Sequence, residues 1–186
     1  MGTSNFYYRN TSKVYAVLMT ETVINDDTEE EIRNPESWEI EDFIENVQEQ
    51  FEVHKNFTKL DEWDNNAPYS CPIRKIGEII NTKTFGNTDI GVRVIITLNS
   101  GYYEGACFDY TKEILVDGYE YDNIEPDDFN TSNKGLNKIL CTHASKWAEN
   151  QLKHLSMLVE NIFAENSKCL KVAATFSNGE TIYNLC

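Results

Sequence analysis

The chain has 186 residues, 31 acids against 16 bases, a formal charge of −15 and 40% apolar residues. A chain of this size buries roughly 70% of its unfolded surface and needs no disulfide or metal staple, and its composition excludes collagen-like and fully disordered chains. No apolar run approaches the roughly 20 residues that span a bilayer, and the opening MGTSNFYYRNTSK carries no signal core, so a cytoplasmic protein is expected.

In chain order, Lys13–Thr20 is a short, partly β-branched apolar run that predicts a buried strand. Residues 21–34 are acidic and predict a loop. Asn34-Pro35 then supplies a helix cap and a first-turn proline. Ile40, Phe43, Ile44, Val47 and Phe51 follow at helical spacing, so residues 35–53 predict an amphipathic helix. Residues 54–72 are polar and predict irregular chain. Ile73–Thr84 alternates loosely, and Ile90, Val92, Val94, Ile96 and Leu98 occupy every second position, the period of a half-buried strand. Asn99-Ser100-Gly101 predicts a turn, Tyr102–Tyr110 a returning strand, and Lys112–Val116 another, closed by the hairpin signal Asp117-Gly118. Residues 117–133 predict a second acidic loop. Ser132-Asn133 can cap a long helix from near Gly135 to about Asn166, and Cys169–Ser177, Asn178-Gly179 and Glu180–Leu185 predict a hairpin.

These elements make one α+β domain over residues 1–186. An antiparallel β-meander packs against a long helix in the C-terminal half, with an acidic amphipathic helix before it and a β-hairpin at the C-terminus.

The charge is uneven. Residues 21–52 hold 13 acids and one base, residues 113–133 hold seven acids and no base, and the rest holds 11 acids and 15 bases. Such blocks report partners or solvation more than fold. At 100° per residue, Glu41, Asp42, Glu45, Glu49 and Glu52 lie on an arc opposite the apolar stripe. Seven acids over residues 36–52 give about one charge per 3.6 Å of helix, against about 3.4 Å along one strand of B-DNA. Trp38 falls within the same arc, and Trp is the residue type most enriched at binding hot spots. The alternative is a purely solvated face with the 21–34 loop folded over Trp38. The second cluster interleaves Tyr119, Tyr121 and Phe129 with acids. Tyr121, Asp122, Asp127 and Asp128 are its candidate contacts with a basic partner. A calcium cage of Asp122, Glu125, Asp127 and Asp128 is the alternative, although the EF-hand spacing is absent.

Catalytic signatures are missing. The five cysteines, at 71, 107, 141, 169 and 186, form no CxxC pair and are expected as reduced core residues. A dyad of Cys107 and His143 oriented by Asp109 follows no spacing rule; the alternative places Cys107 in a strand interior and His143 on the sheet-facing stripe of the long helix. Neither GxGxxG nor GxxxxGK[ST] occurs. No cofactor, metal or catalytic residue is expected. Direct nucleic-acid binding is disfavoured by dispersed bases in a repulsive net field.

In length, charge and lack of a catalytic signature the chain resembles the small acidic inhibitors that bacteriophages make against restriction or CRISPR machinery, several of which mimic DNA. The resemblance implies a non-enzymatic protein, acting in the host cytoplasm, that occludes a basic nucleic-acid-binding surface of a partner protein. It carries no family motif and transfers no residue role, and the mildly basic body suits a partial mimic. The alternatives are a small enzyme or ligand-binding domain with a pocket between sheet and helix, or a virion or scaffold component that self-associates through the edges of its C-terminal hairpin.

Overall fold

Alternation in the middle of the chain builds the sheet. Ile90, Val92, Val94, Ile96 and Leu98 are all buried on one face of a 14-residue strand, as a side-chain period of two requires. The structure is a computed structural model. It describes the backbone of residues 17–18, 20–23, 30–33, 37–65, 73–101, 105–166, 170–175 and 181–185, and the side chains of residues 41–65, 73–98 and 108–165.

In chain order the elements are β1 (Val17–Leu18), β2 (Thr20–Val23), β3 (Glu30–Arg33), α1 (Ser37–Phe51), β4 (Phe57–Trp63), β5 (Ile73–Phe85), β6 (Thr88–Gly101), β7 (Gly105–Val116), β8 (Tyr119–Tyr121), α2 (Lys134–Asn166), β9 (Leu170–Thr175) and β10 (Thr181–Leu185). A single 3-10 turn, Pro126–Asp128, lies between β8 and α2. The principal sheet runs β4-β5-β6-β7-β1-β10-β9, with β8 paired to β7. Its long central strands are antiparallel, and β1 joins β10 in parallel through Val17 and Asn184. The architecture is α+β.

Residues directly opposite in antiparallel strands share a face. Phe108, Tyr110, Ile114 and Val116 of β7 therefore lie beside Leu98, Ile96, Val92 and Ile90. Both helices cover this face. From α2 come Ala144, Ala148, Leu155, Val159 and Phe163, and from α1 come Ile44, Val47 and Phe51. Phe163 stacks on Phe108 at 5.4 Å and meets Phe51 edge-on at 6.2 Å, so one ring ties both helices to the sheet. The start of α2 follows its sequence signal: Asn133 Oδ1 accepts the backbone N–H groups of Gly135 (2.9 Å) and Leu136 (3.1 Å), two donors a helix leaves unpaired.

Two hairpin turns need left-handed backbone. Gly86 (φ 63°) joins β5 to β6, and Asp117 (φ 48°) with Gly118 (φ 85°) joins β7 to β8. Two successive positive φ values give a type I′ turn, whose twist matches the flanking strands.

The β4–β5 ladder contains an irregularity that α1 resolves. Register shifts occur between Lys59 and Glu62 on β4 and between Lys75 and Gly77 on β5. The carbonyls of Leu60 and Ile76, inside these breaks, both accept from Gln48 Nε2, at 3.2 and 2.9 Å. Gln48 is 4% exposed in the buried stripe of α1. A polar residue there satisfies carbonyls that would otherwise be buried without a donor.

Several expectations need correction. Residues 21–34 contain β2 and β3, which pair Thr20 with Arg33 through Val23 with Glu30. Residues 57–63 form an edge strand; most of its side chains are exposed, so it lacks the alternation that would reveal it. The ladder of β6 continues through Asn99, Ser100 and Gly101, paired with Cys107, Ala106 and Gly105, so those three residues are not the turn. Strand β7 is continuous where two strands were expected. The expected break was Thr111, where the chain turns polar; the structure carries the ladder through it, pairing Thr111 with Ile95 and Glu113 with Arg93 directly across on β6. The Asn34-Pro35 cap and the Asn178-Gly179 turn lie outside the described residues, while β9 and β10 form the expected antiparallel pair.

Candidate interaction surface

Helix α1 has two faces because its apolar residues recur every third or fourth position. Ile44, Val47, Gln48 and Phe51 are buried, and Glu41, Asp42, Glu45, Glu49 and Glu52 are exposed. The five acids are not equivalent. Arg74 of β5 grips Glu41 with both terminal guanidinium nitrogens, at 2.5 and 3.1 Å. It also donates through Nε to Asp61 at 2.7 Å and lies 5.9 Å from the Trp63 ring centroid. The hydrogen bond to Glu41 is the largest influence on Arg74, raising its pKa further above the usual range against the opposing effect of burial. Glu41 sits at the flank of the helix, near the sheet, and this position explains the pairing. It fastens α1 to β5 and is not a free carboxylate of the strip.

Asp42, Glu45, Glu49 and Glu52 point away from the core. Among the described residues none of the four has an ion-pair partner. At 1.5 Å rise per residue they span about 15 Å, or about 5 Å between successive charges. With Glu41 paired to Arg74, the spacing of these four carboxylates is looser than that of phosphates along a DNA strand. The backbone of Trp38 belongs to the first turn of α1; its side chain lies outside the described residues, as do those of Glu36 and Glu39.

The second acidic segment divides in the same way. Tyr119 and Tyr121 of β8 are 73% and 49% exposed, and Asp122 and Asp127 are exposed beside them in sequence. Asp128 is structural: its carboxylate accepts the backbone N–H of Glu125 at 2.7 Å, and its carbonyl accepts Thr88 Oγ1 at 2.8 Å. Phe129, expected as a contact aromatic, is 1% exposed and belongs to the core. Among the described residues no group of three or more His, Cys, Asp or Glu is arranged to hold a metal ion.

The two acidic segments remain apart. The C-terminal end of α1 reaches Phe57, paired with Ile79, whereas the second segment joins the sheet at Thr88 beside the Gly86 turn. Six residues of β5 separate these points, about 20 Å of strand.

The Cys107–His143–Asp109 arrangement does not form. His143 is exposed near the beginning of α2, not on its sheet-facing stripe. The start of β7 meets the far end of that helix, where Phe108 stacks on Phe163, and 20 residues of helix between positions 143 and 163 span about 30 Å. Asp109 is 3% exposed on the opposite face of the sheet, with its carboxylate accepting the N–H of Tyr110 at 2.7 Å. The side chain of Cys107 lies outside the described residues. Cys141, half-buried on α2, donates its thiol to the carbonyl of Ile124.

Among the described residues no helix is long and apolar enough to cross a membrane. The Arg74–Glu41 contact was the main feature missed from sequence. Arg74 and Glu41 are 33 positions apart, and only the amphipathic docking of α1 hinted that a flank residue would meet the sheet. Comparison with protein-family models, curated proteins and solved structures finds no match.

Proposed function

We propose that this is a non-enzymatic acidic interaction protein that occludes a basic, nucleic-acid-binding surface of a partner protein, in the manner of phage inhibitors of restriction or CRISPR machinery. The supporting observation is the row Asp42, Glu45, Glu49 and Glu52, exposed on one helix face without a cationic partner among the described residues. A solvated helix commonly alternates acids with bases at i,i+4, which stabilises it; Glu45 and Glu49 instead repel each other by a few tenths of a kcal/mol. A basic groove would relieve that repulsion and be steered toward the row over long range.

The row is backed by a rigid support. Gln48 and Phe51 fix the opposite face of α1 against β4, β5 and α2, so the carboxylates are held in register before a partner arrives. Pre-organisation lowers the entropic cost of association. Tyr121, Asp122 and Asp127 form a separate, smaller surface that suits a second contact on a large partner.

The experiment is competition. Immobilised protein is incubated with host lysate at low and high salt, and the retained proteins are challenged with duplex DNA. The proposal expects a basic DNA- or RNA-binding protein that is retained at low salt, released at high salt and displaced by the duplex. Retention that ignores both salt and DNA contradicts it.

A further inference from the structure

Two lysines of this acidic chain gather around one cleft. Strand β4 begins at Phe57, opposite Ile79, so β5 beyond that point has no β4 neighbour along this edge. The loop after α1 stands there instead, and α2 crosses above. Between them lies a shallow, open cleft of about 370 Å³.

Its polar lining is ordered by hydrogen bonds. The backbone N–H of Asn56 donates to His54 Nδ1 at 3.2 Å, which leaves the other ring nitrogen, Nε2, to carry the proton of the neutral imidazole. Asn56 Nδ2 donates to Asn81 Oδ1 at 2.6 Å, and Asn81 Nδ2 donates to Gln151 Oε1 at 2.9 Å. The relay fixes the orientation of all three amides. It leaves an acceptor at one end, Asn56 Oδ1, and a donor at the other, Gln151 Nε2. Trp147 supplies an aromatic wall, half-buried and packed edgewise on Phe85 at 5.8 Å.

Lys55 and Lys83 complete the lining. Both are exposed, and neither has an ion-pair partner among the described residues, in a chain where acids outnumber bases 31 to 16. Lys83 is placed by its ammonium, 5.3 Å from the Phe85 ring centroid, the ring that also supports Trp147.

We propose that this cleft binds a mononucleotide. The indole offers a face for stacking a planar heterocycle, the ends of the amide relay offer a donor and an acceptor to its edge, and the two lysines offer charge to a phosphate. The net negative field opposes a nucleic-acid polymer, whose many phosphates cannot all reach lysines. A single nucleotide places its one phosphate beside two of them. The proposal does not rest on the acidic row, which ends at Glu52 just before the cleft's first residue, His54, and its ligand is a small molecule, not the partner protein.

The test is calorimetric titration of the full chain with AMP, GMP, CMP and UMP, with inorganic phosphate and the free nucleosides as separate arms. At least one nucleotide is expected to bind about tenfold or more tightly than phosphate or its own nucleoside, since a charged hydrogen bond and a stacked ring each contribute on that scale. Replacing both lysines, K55Q with K83Q, is expected to weaken nucleotide binding by about tenfold or more while leaving the circular dichroism melt unchanged. In two-dimensional NMR of the unmodified protein, the Trp147 indole and the Gln151 side-chain amide are expected to shift with the bound nucleotide. Absence of binding at millimolar nucleotide, phosphate binding as tightly as every nucleotide, or nucleotide affinity unchanged in the lysine variant each overturns the proposal.

Discussion

Replacing Gln48 with Leu removes the one donor that serves two carbonyls inside the β4–β5 irregularity, those of Leu60 and Ile76. Gln48 is 4% exposed, and its hydrogen bond to Ile76 is buried while that to Leu60 is partly so, so water replaces the amide poorly. A buried carbonyl left without a donor costs about 1–2 kcal/mol, and the leucine recovers about 1 kcal/mol through apolar contact. The net loss is then about 2 kcal/mol, split over two carbonyls that lie on different strands. With a urea m-value of about 2 kcal/mol/M, the unfolding midpoint falls by about 1 M at unchanged slope. Urea titration followed by far-UV circular dichroism measures this directly. Glu49→Gln, the next residue along and exposed, is the control and is expected to stay within about 0.5 kcal/mol. A Gln48→Leu midpoint within about 0.2 M of the parent would refute the claim that this amide fastens α1 to the sheet.

The remaining predictions concern a close approach and a half-buried phenol. A Cβ at Gly77 would stand 2.2 and 2.5 Å from two carbons of the Phe57 ring, which stacks on Phe51 at 5.6 Å; Gly77→Ala is therefore expected to cost about 1–3 kcal/mol in thermal melts, and an unchanged melt would show that the ring moves aside freely. Burial, followed by its hydrogen bond to Glu160, raises the Tyr110 pKa to about 12. The folded state thus holds this proton more tightly than the unfolded chain, so the contribution of Tyr110 is complete below pH 10 and is lost as pH rises from 10 to 12. Tyrosinate absorbance should show a late-titrating group that disappears in Tyr110→Phe, and a spectrum that Tyr110→Phe leaves unchanged above pH 10 would contradict the assignment.

Legibility in the sequence followed burial. Strand β6 was readable because one whole face of it is buried, which imposes strict alternation. The start of α2 was readable because Asn133 caps it with its own side chain. Strand β4 was not, because an edge strand with mostly exposed side chains has no reason to alternate. The extra length of β6 was missed because Asn, Ser and Gly permit a turn without requiring one, and the ladder to β7 overrides that preference. In the candidate site, helical period located the exposed arc correctly. What it could not supply was Arg74, which neutralises Glu41 from a strand distant in sequence. Nor could it foresee that Asp128 is occupied by the backbone of Glu125. The cleft at Trp147 was equally hidden, since its residues come from a loop, a strand and a helix that meet only in the folded chain.

The central claim is that position, not net charge, makes the acidic row act. Two triple variants separate these causes. One replaces Glu45, Glu49 and Glu52 of the row with Gln, and the other replaces Glu62, Glu149 and Glu165, which are exposed elsewhere. Each removes three carboxylates and takes the formal charge from −15 to −12. Association with the captured partner, measured as an on-rate across a salt series, is expected to slow and lose much of its salt dependence only in the first variant. Equal behaviour of the two would contradict the account.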